Sequence, residues 1–343
     1  MAGSRISEQL PPLIDRNQSP LAFGQRALPR LAAELQNPEL TVRQGALAAL
    51  RDLIHDPERA YETIYHGCLE RLKVLLKDED SSIRTATTEV LYLLTAHSVG
   101  REAILREDVV GCLSELLDEP VDACRRNTHL VLKMMSGFPA GVACMVSLGL
   151  VPRLVMKVAA ETEDIRELVL STLGSCMRVD TQAAQAALAS DVVTVLREQL
   201  THSSTNIRRE ATAAMIAISV PPQGKVKVCE EEVLPVLVQL LSDEDLEIKA
   251  NAAGTIMNTA VITKGKFQSL QAGALAPLLH LVECEHRAVC ANALRALTCL
   301  AEVPRAREQL LQHLPLLQTR LNHPEPIIQR ASATAIQVIS WTP

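Results

Sequence analysis

The chain has 343 residues, a formal charge of −6 and 48% apolar residues, drawn mainly from Leu, Ala, Val and Ile. Its acids and bases are interspersed, which argues against a dominant nucleic-acid role because that needs a basic footprint, and its seven aromatics are too few for stacking of single-stranded bases. No apolar run of about 18 residues is present, so no membrane span is expected, and the Met-Ala-Gly-Ser-Arg start lacks both a signal-peptide core and a Met-Gly myristoylation start.

Residues 1–27 lie outside the pattern that governs the rest. The stretch from Ile6 to Ile14 is short and broken by Pro11 and Pro12, so it holds no core of its own. Two readings stand for it: a loosely packed arm, or a hook that docks Leu10, Leu13, Ile14 or Phe23 into a neighbour.

From residue 28 to residue 343 the chain repeats itself every 41 residues. One apolar position recurs as Leu31, Leu72, Leu113, Leu154, Leu196, Leu237, Leu278 and Leu317. A second recurs as Leu50, Leu91, Leu132, Leu173, Met215, Ile256, Leu297 and Ile336. A third recurs as Val42, Ile83, Cys124, Ile165, Ile207, Ile248, Val289 and Ile328, followed by a basic residue at 43, 84, 125, 166, 208 and 249. A helical unit of this length predicts an all-α, right-handed armadillo or HEAT-like solenoid of about eight repeats, with one core running along it. Stacking at about 8–10 Å per repeat would give a rod of roughly 65–80 Å.

Each repeat reads as three helices. In the sixth, a short helix at 225–231 is followed by Leu234, Leu237, Val238 and Leu241 at i, i+3, i+4 and i+7. A polar turn at 242–245 then caps a long helix at 247–261. The seventh copies this at 266–271, 275–282 and 288–302. Earlier links carry the same punctuation, with Asp56 as a cap before Pro57 and Pro221-Pro222 opening a later helix. Three helices favour armadillo over two-helix HEAT units. The stretches Gln271-Ala-Gly-Ala-Leu-Ala-Pro-Leu-Leu279 and Ser147-Leu-Gly-Leu-Val-Pro-Arg-Leu-Val155 resemble the armadillo segment around the second helix, where Gly permits a tight corner and Pro opens the helix. The recurring basic residue is HEAT-like. After Trp341 no polar capping helix follows, so a partner is expected to cover the C-terminal face near Trp341.

Motifs for catalysis are missing. There is no Gly-x-Gly-x-x-Gly, phosphate-binding loop, Gly-x-Ser-x-Gly or His-Glu-x-x-His, so neither enzyme activity nor a cofactor or small-molecule substrate is expected. His280, Cys284, His286 and Cys290 are metal-ligand types, but their spacing is unlike structural zinc sites and a non-metal reading is preferred. The nine dispersed cysteines read as reduced, mostly buried thiols.

Two candidate contact sets remain. Lys225, Lys266 and Arg307 share one phase at the start of the first helix, with Lys227 and Lys264 beside them. Cations oppose the dipole at a helix N-terminus, so they are read either as a ridge for an acidic partner or as ordinary solvated charges. The third helix of armadillo repeats lines a concave groove, where an Asn near its middle holds extended peptides in importin-like and catenin-like members. Asn258 occupies that position here. Its in-phase counterparts Asp52, Leu93, Met134, Ser175, Ala217, Cys299 and Val338 do not continue the ladder, which argues against importin-like reading of basic peptides.

The segments Arg5-Ile-Ser-Glu-Gln-Leu-Pro-Pro-Leu-Ile-Asp15, Ala22-Phe-Gly-Gln-Arg-Ala-Leu-Pro29 and Thr88-Glu-Val-Leu-Tyr92 resemble the armadillo-repeat subunits of the ciliary radial spoke. That resemblance implies a structural subunit of motile cilia and sperm flagella, located in the axonemal cytoskeleton and held by other spoke proteins through broad interfaces. The alternative is a soluble armadillo adaptor that binds partners transiently, as a transport or phosphatase-type scaffold does.

Overall fold

The computed structural model describes residues 27–341, and these are helical throughout with no strand among them. The helices gather into two compact units, one ending at Met135 and the other starting at Ser136.

The first unit contains α1 (Ala27–Glu34), α2 (Leu40–Leu53), α3 (Pro57–Tyr65), α4 (Cys68–Leu75), α5 (Ser81–Thr95), α6 (Ser98–Arg106), α7 (Val109–Glu115) and α8 (Asp122–Met135). The second contains α9 (Pro139–Ser147), α10 (Leu150–Ala160), α11 (Glu163–Val179), α12 (Thr181–Leu188), α13 (Val192–Gln199), α14 (Thr205–Ile218), α15 (Pro222–Glu230) and α16 (Leu234–Leu240). It continues through α17 (Leu246–Thr259), α18 (Thr263–Gln271), α19 (Leu275–Val282), α20 (Arg287–Leu300), α21 (Pro304–Leu311), α22 (Leu314–Thr319) and α23 (Pro326–Ile339). Grouped by the 41-residue period, α1 and α2 are the described part of the first repeat, and seven three-helix repeats follow.

The periodic residues are the core. All eight members of the first leucine row are buried, as are the first seven of the second. Ile336, the eighth, is only half-buried, and so is Val42, the first of the third row. Those two positions belong to the first and last described repeats. Within each unit the long third helices stack on one another: α2 on α5 and α5 on α8, then α11 on α14, α14 on α17, α17 on α20 and α20 on α23. No described helix is, by itself, long and apolar enough to cross a membrane.

Element boundaries follow their caps. The sixth repeat opens three residues earlier than the apolar pattern predicts, because Pro222 at the first helical position starts α15. Its third helix starts one residue earlier, at Leu246, because the Asp245 carboxylate accepts hydrogen bonds from the Glu247 and Ile248 amides at 2.9 and 3.0 Å. The expected Asp56 cap forms in the same way, accepting from Glu58 N at 2.8 Å ahead of Pro57. Gly67, Gly149 and Gly273 take positive φ at the corner between the first and second helices, and Asp108, Asp191 and Glu232 take the same left-handed turn in other repeats.

The recurring basic residue ties neighbouring repeats together. Arg43, Arg84, Arg125 and Arg208 each donate from Nη1 to two carbonyls of the turn just before their own helix, five and six residues back, at 2.7–3.3 Å. Three of them also reach an acid in the next repeat. Arg84 grips Glu119 through two hydrogen bonds of 2.6 and 3.0 Å, Arg43 lies 3.1 Å from Asp78, and Arg208 lies 3.0 Å from Asp243. Such a fork needs the five donors of a guanidinium. Gln329, which breaks the basic run, keeps part of the bond by donating Nε2 to the His323 carbonyl at 2.6 Å.

Candidate functional site

The basic residues at the start of the first helix are engaged within the fold. Lys225 Nζ donates to the Ser219 carbonyl at 3.1 Å and to the Val220 carbonyl, both just beyond the C-terminus of α14. Arg101 Nη1 makes a similar pair of bonds to the Thr95 and Ala96 carbonyls at the C-terminal end of α5, at 2.7 and 3.2 Å. Lys266 reaches the Val261 carbonyl at 3.4 Å and the Glu302 carboxylate at 2.5 Å. At the N-terminus of the helix that carries it, each cation would oppose the dipole. The side chains instead fold back onto the C-terminal end of the preceding third helix, where the dipole and the orphan carbonyls favour a cation. Folding therefore does favour these lysines at this corner. Partial burial pushes the Lys225 amine below its usual range.

The glycine ahead of each cation completes this clasp. A Cβ at Gly100, Gly224 or Gly265 would sit 1.9, 1.7 or 2.2 Å from the carbonyl oxygen of Leu94, Ile218 or Thr259. The first helix thus lies directly against the end of the preceding third helix, and the Gly-Lys or Gly-Arg pair both permits and fastens the approach.

The other members of that set have different surroundings. Lys227 pairs with Glu231 at 2.9 Å, and that hydrogen bond holds the ammonium above its usual range and the carboxyl below its own. Lys264 is exposed. Arg307 stacks over the half-exposed Trp341 ring at 5.1 Å from the centroid. Leu10, Leu13, Ile14 and Phe23 lie outside the described residues.

Asn258 sits near the end of α17 and is half-buried. Its Nδ2 donates to Ser219 Oγ at 2.9 Å, tying α17 to the residue that ends α14. Two more asparagines make comparable ties: Asn251 donates to Thr212 Oγ1 at 3.4 Å and Asn292 to the Ala250 carbonyl at 2.9 Å. The Asn258 amide thus has one N–H committed to the scaffold, with its carbonyl oxygen and second N–H left over.

Beside Asn258, the faces of α17, α20 and α23 enclose an open cleft of about 510 Å³. Met257, Val261 and Ile327 supply its apolar surface, and Arg295 and Arg330 are its charged residues. No acidic residue lines it. Both arginines are exposed, and among the described residues neither guanidinium has an ion pair or a hydrogen bond. Sequence reasoning missed this pair, since neither residue belongs to a periodic row.

The suspected metal ligands do not converge. His280 is exposed and faces Glu283 at 3.6 Å, Cys284 Sγ accepts from the His286 amide at 3.5 Å, and the buried Cys290 thiol donates to the Val282 carbonyl at 3.3 Å. Among the described residues no cluster of three or more such side chains could hold a metal ion. Burial pushes the Cys68 and Cys290 thiols up to about 11 and Cys176 up to about 12.

The armadillo/beta-catenin-like repeat family matches residues 221–260, the unit from the turn before α15 to the end of α17. The chain is similar to a crystal structure of an engineered protein, at a TM-score of 0.86 and 22% identity, over 92% of this chain and 79% of that one. It is also similar to a designed armadillo repeat protein in complex with the peptide (KR)4, at a TM-score of 0.62 and 19% identity, over 67% of this chain and 99% of that one. Among curated proteins it is 27% identical over 108 residues to radial spoke protein 14 of Chlamydomonas reinhardtii. That match spans 31% of this chain and 28% of the relative. The fold is an armadillo solenoid, and one stretch of the chain is distantly similar to a radial spoke protein.

Proposed function

We propose that this chain is a non-enzymatic scaffold subunit of the axonemal radial spoke, held in place by broad contacts with other spoke proteins in motile cilia and sperm flagella. The observation that carries the reading is the stretch of similarity to radial spoke protein 14 on an armadillo scaffold. The physical character of the chain agrees. Within each unit its repeats are fastened to each other by arginine forks and glycine–lysine or glycine–arginine clasps, which leaves faces preformed for docking. Preformed surfaces lose little freedom on assembly, which suits permanent interfaces of roughly 2,000 Å² or more. Lys264, Arg307 with Trp341, and the exposed Phe267 are the contact residues proposed on the outer edge.

The test is fractionation of a tagged chain in cells with motile cilia. After detergent removes membrane and soluble matrix, a spoke subunit stays with the axoneme through moderate salt. Full release with the soluble fraction would replace this reading with that of a transient armadillo adaptor.

A further inference from the structure

We propose that Ser242, in the turn between α16 and α17, is a phosphorylation site for a serine kinase with a cationic substrate groove, and that its phosphate loosens the joint between the fifth and sixth repeats by competing with Asp243 for Arg208. The proposal goes beyond the scaffold reading and holds wherever the chain resides.

Ser242 is exposed, and among the described residues its hydroxyl makes no hydrogen bond. It lines an open recess of about 480 Å³ together with Arg208 and Thr205, the first residue of α14. Stacking does not call for a serine there, since Gln36, Lys77, Asp118, Thr201 and Glu283 hold the same position in other repeats. Asp243, Glu244 and Asp245 follow it directly. A groove carrying lysines and arginines gains from each of those carboxylates, whereas a groove that reads basic residues is repelled. The acids alone would not single out this turn; the free hydroxyl beside them, in a recess shared with a guanidinium, does. Thr162 is also followed by two acids, but its hydroxyl already donates to Asp164 at 2.6 Å. Ser81 and Ser82 follow their acids instead of preceding them.

The same carboxylates hold the joint. Arg208 Nε lies 3.0 Å from Asp243, and Arg209 Nη2 lies 2.6 Å from Asp245. Asp243 also accepts from the Asp245 amide at 3.0 Å, and Asp245 caps α17. Glu244 is exposed and has no ion pair among the described residues. A kinase therefore reads the turn as it opens, when Asp243 and Asp245 leave their arginines. In the transfer, Ser242 Oγ attacks the γ-phosphorus of ATP. The Oγ–P bond forms as the bond from phosphorus to the β–γ bridging oxygen breaks, ADP leaves, and the hydroxyl proton passes to the kinase's base. The phosphate adds about 1.5 to 2 negative charges at neutral pH to a turn whose acids already outnumber its arginine partners. It takes Arg208 and repels Asp243, so the tie from α14 to the turn weakens.

The full chain is incubated with Mg-ATP and a purified serine kinase directed to acidic sequences, and its peptides are mapped by mass spectrometry. Phosphate on Ser242 is expected, with Ser81, Ser82 and Thr162 bare, and Ser242→Ala should remove the label. A kinase directed to basic sequences should leave Ser242 bare. Glu244→Gln should slow labelling about three- to tenfold, and Arg208→Gln should speed it about two- to fivefold by freeing Asp243. In the phosphorylated chain, hydrogen exchange at the turn and the start of α17 should be about two- to tenfold faster than in the unmodified chain. In Arg208→Gln the phosphate should add little to that rate, because the tie it breaks is already gone. An unaltered far-ultraviolet spectrum shows that each variant keeps its fold. A bare Ser242 after prolonged incubation, equal labelling by the two kinases, or exchange that is unchanged or slower with phosphate in place would each overturn the proposal. So would equal acceleration with and without Arg208. Neither readout depends on axonemal retention, so this site and the spoke location can fail separately.

Discussion

Replacing Gly224 by alanine tests the corner between the third helix of one repeat and the first helix of the next. The new methyl would lie 1.7 Å from the Ile218 carbonyl oxygen and 2.9 Å from its carbon. A carbon–oxygen contact normally closes at about 3.3 Å, so α15 must lift from α14 by more than an ångström. The obstacle is backbone and cannot rotate away. Lifting also pulls Lys225 off the Ser219 and Val220 carbonyls. Overpacking of this kind costs about 1–3 kcal/mol, offset in part by the roughly 0.5–1 kcal/mol that alanine gains over glycine in a helix. A net loss of about 1–2 kcal/mol follows, seen as a drop in melting temperature of about 2–6 °C. Gly254→Ala is the control. Its nearest obstacle is the tip of the Ile216 side chain at 2.3 Å, which can change rotamer, and its change in stability should be near zero. Thermal and urea unfolding by circular dichroism give the global values, and hydrogen exchange over α14 and α15 shows whether the loss is local. If Gly224→Ala and Gly254→Ala melt together at the wild-type temperature, the clasp is not the close contact described.

The same measurements reach the rest of the fold. Lys225→Met should cost about 0.5–1.5 kcal/mol by freeing the α14 carbonyls, with faster exchange confined to the end of that helix. Leu173→Asp or Leu237→Asp places an unpaired charge at a fully buried position and should cost about 3–5 kcal/mol, with lost helicity and solubility; a soluble, fully helical variant would contradict the core assignment. The Arg84 fork holds the Glu119 carboxyl below its usual range, and Arg209 and Arg320 do the same for Asp245 and Glu285. Groups with depressed folded values add stability that is complete above the unfolded pKa, about 4, and is lost as pH falls through the folded ones. Unfolding midpoints should therefore decline below about pH 4–5, and Glu119→Gln should flatten part of that decline. In native protein at pH near 8, the half-buried Cys112 and Cys284 should react with a thiol reagent first, while Cys68, Cys176 and Cys290 stay silent until unfolding.

Much of the scaffold is legible in the sequence because stacked repeats impose the same requirement at the same phase. Leu72, Leu113 and Leu237 recur for one reason: each fills the same slot between two neighbours. The polar recurrences carry the same information in less readable form. A basic residue after Val or Ile looks like a loose preference until Arg84 is seen spanning two turn carbonyls and Glu119, 35 residues on. For Lys225 and Lys266, sequence assigns the residue to its helix, not to the place its charge occupies. Four methylenes carry the Lys225 ammonium back across the corner to carbonyls five and six residues earlier, onto the opposite pole of a different helix.

A rule for reading such arrays follows from that contrast. Whatever every repeat needs in order to stack will recur, so periodic polar residues point first to internal bonds. Function is better sought among exposed residues that break the phase. Arg295 shares its position with Gly254 and Thr334, so nothing in the stacking calls for its charge, whereas Arg330 shares its position with Ala291 but also with Arg126 and with Arg209, which is tied to Asp245. Among the described residues neither has a counterion, and both line a cleft that also contains Asn258. The fold matches Arg84, Arg208 and Arg209 with acids, and these are the cations that build the solenoid, whereas Arg197, Arg295, Arg305 and Arg330 are exposed and have no ion pair among the described residues.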